Sequence, residues 1–352
     1  MAIYILFIGL ILITSLKLRC NNDSEILNVS DTITINGIFT LLIFFSHSTQ
    51  YWPLSSCVLD NVYRHIQNIH NQWVVTTFLA FSGYGVMRQI MNNSEDYLKT
   101  YPYKRLLKTF INFDIAVVLY WIVSFLLGIH YNFIVVIGSL FGITSVGNSN
   151  WYIFAILVLY IFSYIAALIF QDNYNKQVLA VLFFTVIYII LMWFLGFEMR
   201  FYSTVMCYSL GAFLALYKEQ IIGEFHDKKL IALFPMALVI LITYKLRFNT
   251  IIMNISSMFF VLVVVWFLCF FKVNSRIFYF LGKHAFSIFI MQRIPGMIFC
   301  EIIGDTVNKY FIICADLLIT IGVALLYDKV LCYVDKKIID LFEGEGKNGF
   351  EV

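Results

Sequence analysis

One histidine stands in a long apolar stretch, and its type and setting suit proton transfer. His47 lies in the run Thr40–Ser48, where the remaining residues are apolar or carry small hydroxyls. Asn36 precedes it by eleven residues, which is close to three helical turns, and Thr40 falls on the same face. A polar stripe about 16 Å long would result. Histidine can act as a base or as a nucleophile near neutral pH. A buried histidine bonded to a neighbouring helix is the structural alternative.

The composition indicates that membrane-spanning helices position these residues. The 352 residues are 61% hydrophobic and only 13% charged, whereas soluble domains carry about 25% charged residues. A water-soluble enzyme and a disordered chain are therefore excluded, and the net charge of +3 argues against a nucleic-acid binder. The apolar runs are continuous rather than alternating, which argues against a β-barrel. We expect an all-α polytopic membrane protein.

Eleven apolar segments approach the length of about 20 residues that crosses a bilayer. They lie near residues 2–16, 33–52, 73–91, 105–127, 150–170, 178–197, 202–217, 230–246, 250–271, 277–299 and 309–331. A twelfth segment, 133–147, is apolar but short and is interrupted by three glycines, so we expect a re-entrant or interfacial piece.

The positions of the basic residues predict the orientation. With the C-terminus in the cytoplasm, about three quarters of the 24 Lys and Arg residues fall on the inner side, as cytoplasmic loops require. The N-terminus would lie outside. The longest outer loop would run from Pro53 to about Gln72, and the basic residues Lys104, Arg105 and Lys108 would lie inside.

Other residues in or beside these segments are candidates for binding. Asp114 is a carboxylate within a predicted span, where such groups are rare and often functional; it would pair with a basic residue or orient His47. Lys104, Arg105 and Lys108 could attract phosphates, although the positive-inside rule alone also explains them. The seven cysteines are scattered without a CxxC pair, so neither a disulfide framework nor a metal site is expected.

Two dipeptides have both a packing and a binding interpretation. Ser82 and Gly83 would allow close helix packing, which is the more frequent use of such a pair, or would line a narrow path for a ligand. Trp151 and Tyr152 would belong to the aromatic belt at the outer interface or stack on a sugar.

Five motifs in order resemble those of the membrane acyltransferase-3 family. They comprise the helix that carries the histidine, a Phe-rich Ser-Gly-Tyr helix, a basic inner loop, a helix that starts with Trp-Tyr, and a late Leu-Gly-Lys element. In this sequence they are Ile35–His47, Thr77–Tyr84, Asp96–Lys108, Asn150–Ala155 and Leu281–Phe289. The resemblance implies a ten-helix core, here with an extra N-terminal transmembrane helix and inner loop over residues 1–30, the family domain over 31–331 and a short charged cytoplasmic tail over 332–352.

The resemblance also implies an activity. It is transfer of an acyl group, most often acetyl, from cytoplasmic acyl-CoA to a carbohydrate hydroxyl, typically of a bacterial cell-surface or lipid-linked glycan. His47 would be the catalytic residue, assisted by Asn36 and Asp114. The basic cluster with Ser82 and Gly83 would bind the donor. No permanently bound cofactor is expected.

The sequence departs from the family pattern at two positions, and this keeps alternatives open. Asn36 replaces a basic residue, which removes a cation that would hold a phosphate or carboxylate, and Gln292 replaces a histidine. A transporter or flippase for a lipid-linked sugar is one alternative, and a non-catalytic membrane component of glycan assembly is another. The absence of paired, Gly- or Pro-broken helices in two halves argues against a transporter. The acceptor, acyl length and oligomeric state are left open by the sequence.

Overall fold

A computed structural model of the chain describes residues 17–20, 27–70, 72–244, 246, 248–303 and 307–348. The described residues are largely helical, and the segment near 2–16 lies outside them. The helices are α1 Val29–Tyr51, α2 Val58–His70, α3 Trp73–Asn92, α4 Ser94–Tyr101, α5 Lys108–Leu126, α6 Phe133–Leu140, α7 Trp151–Phe170, α8 Tyr174–Phe194, α9 Met206–Leu216, α10 Lys218–Tyr244, α11 Thr250–Phe270, α12 Arg276–Lys283, α13 Ala285–Met291, α14 Arg293–Ile303 and α15 Lys309–Asn348. A π-helical turn, Pro102–Leu107, joins α4 to α5.

Two short strands accompany the helices, a feature that the all-α expectation did not include. Strand β1, Lys17–Cys20, pairs in antiparallel register with strand β2, Phe271–Asn274, so that Lys17 lies opposite Asn274. The ladder ties the chain before α1 to the segment between α11 and α12.

Seven helical segments among the described residues are long and apolar enough to cross a membrane. They are Val29–Tyr51, Ser94–Leu126, Trp151–Phe170, Tyr174–Phe194, Thr250–Phe270, Ala285–Ile303 and Lys309–Glu343. The chain is therefore a multi-pass helical membrane protein. The count of eleven spans stays a prediction.

The structure corrects several boundaries drawn from the sequence. The basic segment Asp96–Lys108, expected as a loop, is helical, because α4, the π-helical turn and α5 continue one another. The expected span 202–217 contains a helix of only 11 residues, α9, which at 1.5 Å per residue extends about 16 Å. The expected span 277–299 is divided among α12, α13 and α14. The segment 133–147, which was not expected to span, contains the eight-residue helix α6, and eight residues are too few to cross a bilayer.

The described residues form two compact units. The first unit comprises Met1–Met91 and Ala166–Ala285. Within it, α1 and α12 approach so closely that backbones touch. A Cβ on Gly37 would lie 1.8 Å from the carbonyl oxygen of Phe278, and one on Gly282 would lie 1.8 Å from that of Ile33. Small residues permit such contact between membrane helices, so this glycine pair fixes the start of α1 against α12.

The second unit comprises Asn92–Ile165 and Phe286–Val352. Its core joins α5, α7, α13, α14 and α15 around fully buried side chains such as Tyr120. The Tyr120 hydroxyl donates to the carbonyl of Ile290 at 2.7 Å and accepts from the amide of Arg293 at 3.2 Å. These bonds satisfy backbone groups at the junction of α13 and α14, where helical hydrogen bonding is interrupted.

Replacement of Gly37 tests the glycine contact. Gly37→Ala places a methyl group on a backbone oxygen, so α1 must move from α12, and we expect a loss of stability of about 1–3 kcal/mol or more. The measurement is thermal unfolding of the detergent-purified protein by tryptophan fluorescence. Gly85→Ala is the matched control, because a Cβ there meets no atom within 4 Å. Equal melting temperatures for the two variants would contradict the contact.

Candidate active site

The polar stripe of Asn36, Thr40 and His47 lies on α1 in the first unit. Its three side chains differ in burial and in hydrogen bonding. Thr40 is buried, and its hydroxyl donates to the carbonyl of Asn36 at 2.8 Å. The carbonyl oxygen of the Asn36 side chain is shielded from solvent and accepts no hydrogen bond from the described residues. His47 is half-buried with its Nδ1 atom shielded. The exposed part of the imidazole is therefore the part that a substrate would reach.

Helix α2 packs against the end of α1 that carries His47. The side-chain amide of Gln67 donates to the carbonyl of Ser46 at 3.3 Å and to the hydroxyl of Thr49 at 3.0 Å. Tyr63 is 6% exposed and has Ser46 as its polar neighbour. Burial raises the pKa of Tyr63 above its ordinary value, so the phenol stays protonated at neutral pH. Polar groups of α2 thus surround the backbone on either side of His47.

The opposite face of α2 is apolar and exposed. Val58, Val62, Ile66 and Ile69 are each about half exposed or more and repeat at helical spacing. The segment expected as an outer loop is therefore a helix, and the apolar repeat at i, i+4, i+8 and i+11 is the signal in the sequence that predicts it. An amphipathic helix of this kind suits a membrane interface.

The Ser82-Gly83 pair lies on α3 in the same unit, where Gly83 meets the backbone of α9. A Cβ on Gly83 would lie 2.1 Å from the carbonyl oxygen of Tyr208, and one on Gly211 would lie 1.9 Å from that of Ala80. The surroundings of Gly83 are therefore those of a close helix contact, which was one of the two sequence interpretations. A donor-binding role for Ser82 and Gly83 stays a prediction.

The three basic residues of the second unit are held in different ways. The Lys104 amine lies 2.8 Å from a carboxylate oxygen of Glu343, and the Lys108 amine lies 2.8 Å from one of Asp335. Both carboxylates belong to α15. Arg105 instead donates from Nε to the hydroxyl of Tyr97 at 3.1 Å. Sequence reasoning missed these carboxylates, because more than 200 residues separate them from the lysines.

The contact between the basic turn and α15 extends beyond the ion pairs. The Tyr103 ring stacks on Phe342 with centroids 5.1 Å apart, and its hydroxyl lies 3.2 Å from Glu343. The side-chain amide of Asn112 donates to Asp335 at 3.2 Å. The end of α15 therefore occupies the side of the helix on which Lys104 and Lys108 lie.

Asp114 also lies in the second unit, on α5. It is half-buried, and its Oδ1 atom is shielded and has no hydrogen-bond partner among the described residues. Tyr327 of α15 is an electrostatic neighbour and donates its hydroxyl hydrogen to the carbonyl of Asn112. Asp114 forms no ion pair within the described residues, so the expected basic partner is not found there. Its role in orienting His47 stays a prediction.

Trp151 and Tyr152 begin α7, as the sequence indicated. The preceding residue fixes this start, because the side-chain amide of Asn150 donates to the carbonyls of Gly142 and Thr144, each at 2.9 Å. The ring of Tyr152 packs edge-on against Phe289, with centroids 5.6 Å apart. Both aromatic residues are half-buried, so part of each ring is available to a ligand.

The candidate residues therefore fall into two groups. The first unit carries Asn36, His47, Ser82 and Gly83, and the second carries Lys104, Arg105, Lys108, Asp114, Trp151 and Tyr152. Gln292, which stands where the family motif has a histidine, is buried and donates to the carbonyl of Phe289 at 2.9 Å. It takes part in the packing of the second unit.

Comparison with known proteins identifies one family. The Acyl_transf_3 family model, described as an acyltransferase domain, matches residues 34–328, which is more than half of the chain. No curated protein and no solved structure matches the chain.

Loss of the Gln67 amide tests whether α2 is fastened over the His47 end of α1. We expect Gln67→Ala to raise amide hydrogen exchange throughout α2 by about fivefold or more, since two interhelical hydrogen bonds are removed. Hydrogen–deuterium exchange read by mass spectrometry measures this. His65→Ala on the exposed side of α2 is the control and should leave exchange unchanged. An unchanged rate in Gln67→Ala would show that these bonds do not hold the helix.

Proposed function

The chain belongs to the membrane acyltransferase-3 family, and we propose that it is an O-acyltransferase. The proposed donor is cytoplasmic acyl-CoA, most simply acetyl-CoA, and the proposed acceptor is a hydroxyl of a cell-surface or lipid-linked carbohydrate. The observation that carries this proposal is a half-buried histidine at the position of the family motif, on a polar stripe of a membrane helix.

His47 is the proposed general base. It removes the proton from the acceptor hydroxyl while that oxygen forms a bond to the acyl carbonyl carbon. The carbon–sulfur bond of the thioester then breaks, and the coenzyme A thiolate takes up the proton. The alternative is that His47 carries the acyl group transiently on a ring nitrogen. In either route Asn36, whose side-chain oxygen accepts no hydrogen bond from the described residues, binds a hydrogen-bond donor of a substrate lower on the stripe.

Lys104 and Lys108 are the proposed ligands of the donor phosphates. Their carboxylate partners, Glu343 and Asp335, hold the lysines before the donor binds. The lysine side chains are 40% exposed in both pairs. Since partly exposed ion pairs contribute little stability, exchange of a carboxylate for a phosphate carries a small free-energy cost. Ser82 and Gly83 are the proposed contacts of the acyl group.

Trp151 and Tyr152 are the proposed sugar contacts. Aromatic faces bind the apolar faces of sugars, and both rings are accessible in part. The predicted orientation, with the N-terminus outside and the C-terminus in the cytoplasm, supports this division. It places α15 and the basic turn on the side of the donor, and the start of α7 on the side of a surface glycan.

A second candidate function follows from Asn36. The family motif has a basic residue at this position, and its replacement removes a cation from the stripe. A non-catalytic membrane component of glycan assembly, or a flippase for a lipid-linked sugar, would keep the fold without needing His47 as a base.

Substitution of His47 distinguishes these functions. His47→Gln keeps a hydrogen-bonding side chain but cannot accept a proton, so transfer should fall by about 10²–10⁴-fold. The measurement is transfer of radiolabelled acetyl from acetyl-CoA to membrane glycans, with the amount of inserted protein determined in parallel.

His65→Gln and His226→Gln are matched controls outside the stripe and should keep wild-type transfer. Near-normal transfer by His47→Gln would make His47 a packing residue. Absence of transfer by the wild-type protein, with glycan export dependent on the chain, would favour the second candidate.

Neutralisation of a carboxylate on α15 tests the donor site. Glu343→Gln leaves Lys104 without its ion-pair partner, so the apparent KM for acyl-CoA should fall by about two- to fivefold at low salt. Lys104→Ala should raise the KM with a smaller effect on kcat, which is the pattern of lost uniform binding. Steady-state kinetics over a range of salt concentrations measure both.

Glu198→Gln, which removes the partner of an exposed arginine in the first unit, is the control. A KM that is unchanged in both Glu343→Gln and Lys104→Ala would restrict the basic turn to a topological role.

A further inference from the structure

An apolar groove lies in the second unit beside the basic turn. Its volume is about 500 Å³, which is within the range of small-molecule sites. The lining side chains come from the π-helical turn, α5, α7 and the segment after α6, and all of them are apolar. Pro102 and Leu106 belong to the turn, Val158 and Ile161 to α7, and Phe141 follows α6.

The groove opens to the surface of a membrane-spanning unit. Phe141, Ile143 and Ile161, which line it, are 55%, 45% and 42% exposed. The medium around an apolar surface of this kind is hydrocarbon. A groove lined by apolar side chains favours an apolar occupant, and a single acyl chain is such a group.

Arg105 supplies a charge in the π-helical turn that lines this groove. It directly precedes the lining residue Leu106, and Tyr160, one of its electrostatic neighbours, directly precedes the lining residue Ile161. Of its five N–H donors only the one on Nε has a partner among the described residues, the hydroxyl of Tyr97. No described carboxylate pairs with Arg105, in contrast to Lys104 and Lys108.

The half-buried guanidinium of Arg105 is expected to bind an anion. A half-buried charge in a membrane helix is stabilised by a partner of opposite sign, and a guanidinium binds phosphate through two parallel hydrogen bonds. Basic pockets between helices on the cytoplasmic side are sites for anionic lipid headgroups. The predicted orientation places Arg105 on that side.

We propose that the groove binds one acyl chain of an anionic phospholipid whose phosphate is bound by Arg105. The site goes beyond the proposed acyl transfer, because its occupant is a lipid of the bilayer and not a reactant. The proposal also assigns the basic residues to two different ligands. Lys104 and Lys108, held by α15, stay with the donor, whereas Arg105, held by tyrosines, belongs to the lipid site.

Native mass spectrometry of the purified full chain in detergent tests the site. The probes are phosphatidylglycerol and phosphatidylcholine with identical acyl chains. We expect the wild-type protein to retain phosphatidylglycerol in preference to phosphatidylcholine. In Arg105→Gln, the affinity for phosphatidylglycerol should fall by about tenfold, because charge-assisted hydrogen bonds are lost. Arg200→Gln, at an exposed arginine paired with Glu198, is the control and should bind as the wild type does.

A second variant tests the groove independently of the charge. Val158→Trp fills the groove and should weaken phosphatidylglycerol binding to a similar extent, whereas Val186→Trp, at a valine of α8 that is 40% exposed, should not. Melting temperatures identify any variant that is not folded. If Arg105→Gln and Val158→Trp, both folded, retain the lipid as the wild type does, the proposal is wrong.

Competition separates the lipid from the donor. Coenzyme A and acetyl-CoA should not displace phosphatidylglycerol from the wild-type protein. The same result is expected for His47→Gln, in which acyl transfer is lost. Displacement by a long-chain acyl-CoA at equal concentration would assign the groove to the acyl chain of the donor and overturn the lipid assignment. Failure of acyl transfer with intact lipid selectivity would leave the site standing while the proposed function fell.

Discussion

The structure depends on one constraint, which is that polar atoms within membrane helices must find partners without water. The hydroxyls of α1 meet it locally. Thr34, Thr40 and Ser48 each donate to the carbonyl four residues earlier, at 2.8, 2.8 and 2.9 Å. Such bonds let a helix with many hydroxyl groups lie in an apolar environment. The groups that do not meet the constraint internally, such as the side-chain oxygen of Asn36, are therefore the informative ones.

The same constraint explains how charge is arranged in the second unit. Lys104 and Lys108 are compensated by carboxylates of α15, and Asn112 shares one of these carboxylates. Arg105 is positioned by a phenol instead and keeps most of its donors for a ligand. Three basic residues within five positions thus differ in their ion-pair and hydrogen-bond partners. Their common sign attracts anions, but the partner of each decides which anion it can bind.

Close contact between backbones provides the rigidity that these sites need. The pairs Gly37–Gly282 and Gly83–Gly211 bring helices of the first unit within reach of direct backbone contact. Gly37 lies next to Asn36 at the start of the stripe, so its contact with α12 fixes that end of the stripe against a neighbouring helix. Helix α2 is fastened at the other end of the stripe by Gln67. The polar stripe of α1 is therefore held at both ends.

The sequence by itself determined the class of protein and the family, because hydropathy, basic-residue placement and short motifs are local properties. His47, Asn36 and the start of α7 at Trp151 could all be located from the sequence alone. Only the tertiary structure decided that the basic segment is helical, that Glu343 and Asp335 hold Lys104 and Lys108, and that the segment after Pro53 forms α2. It also decided that the basic turn lines an apolar groove. The physical reason is that hydropathy records the preference of a residue for lipid or water, whereas an ion pair or a groove depends on which distant helices pack together.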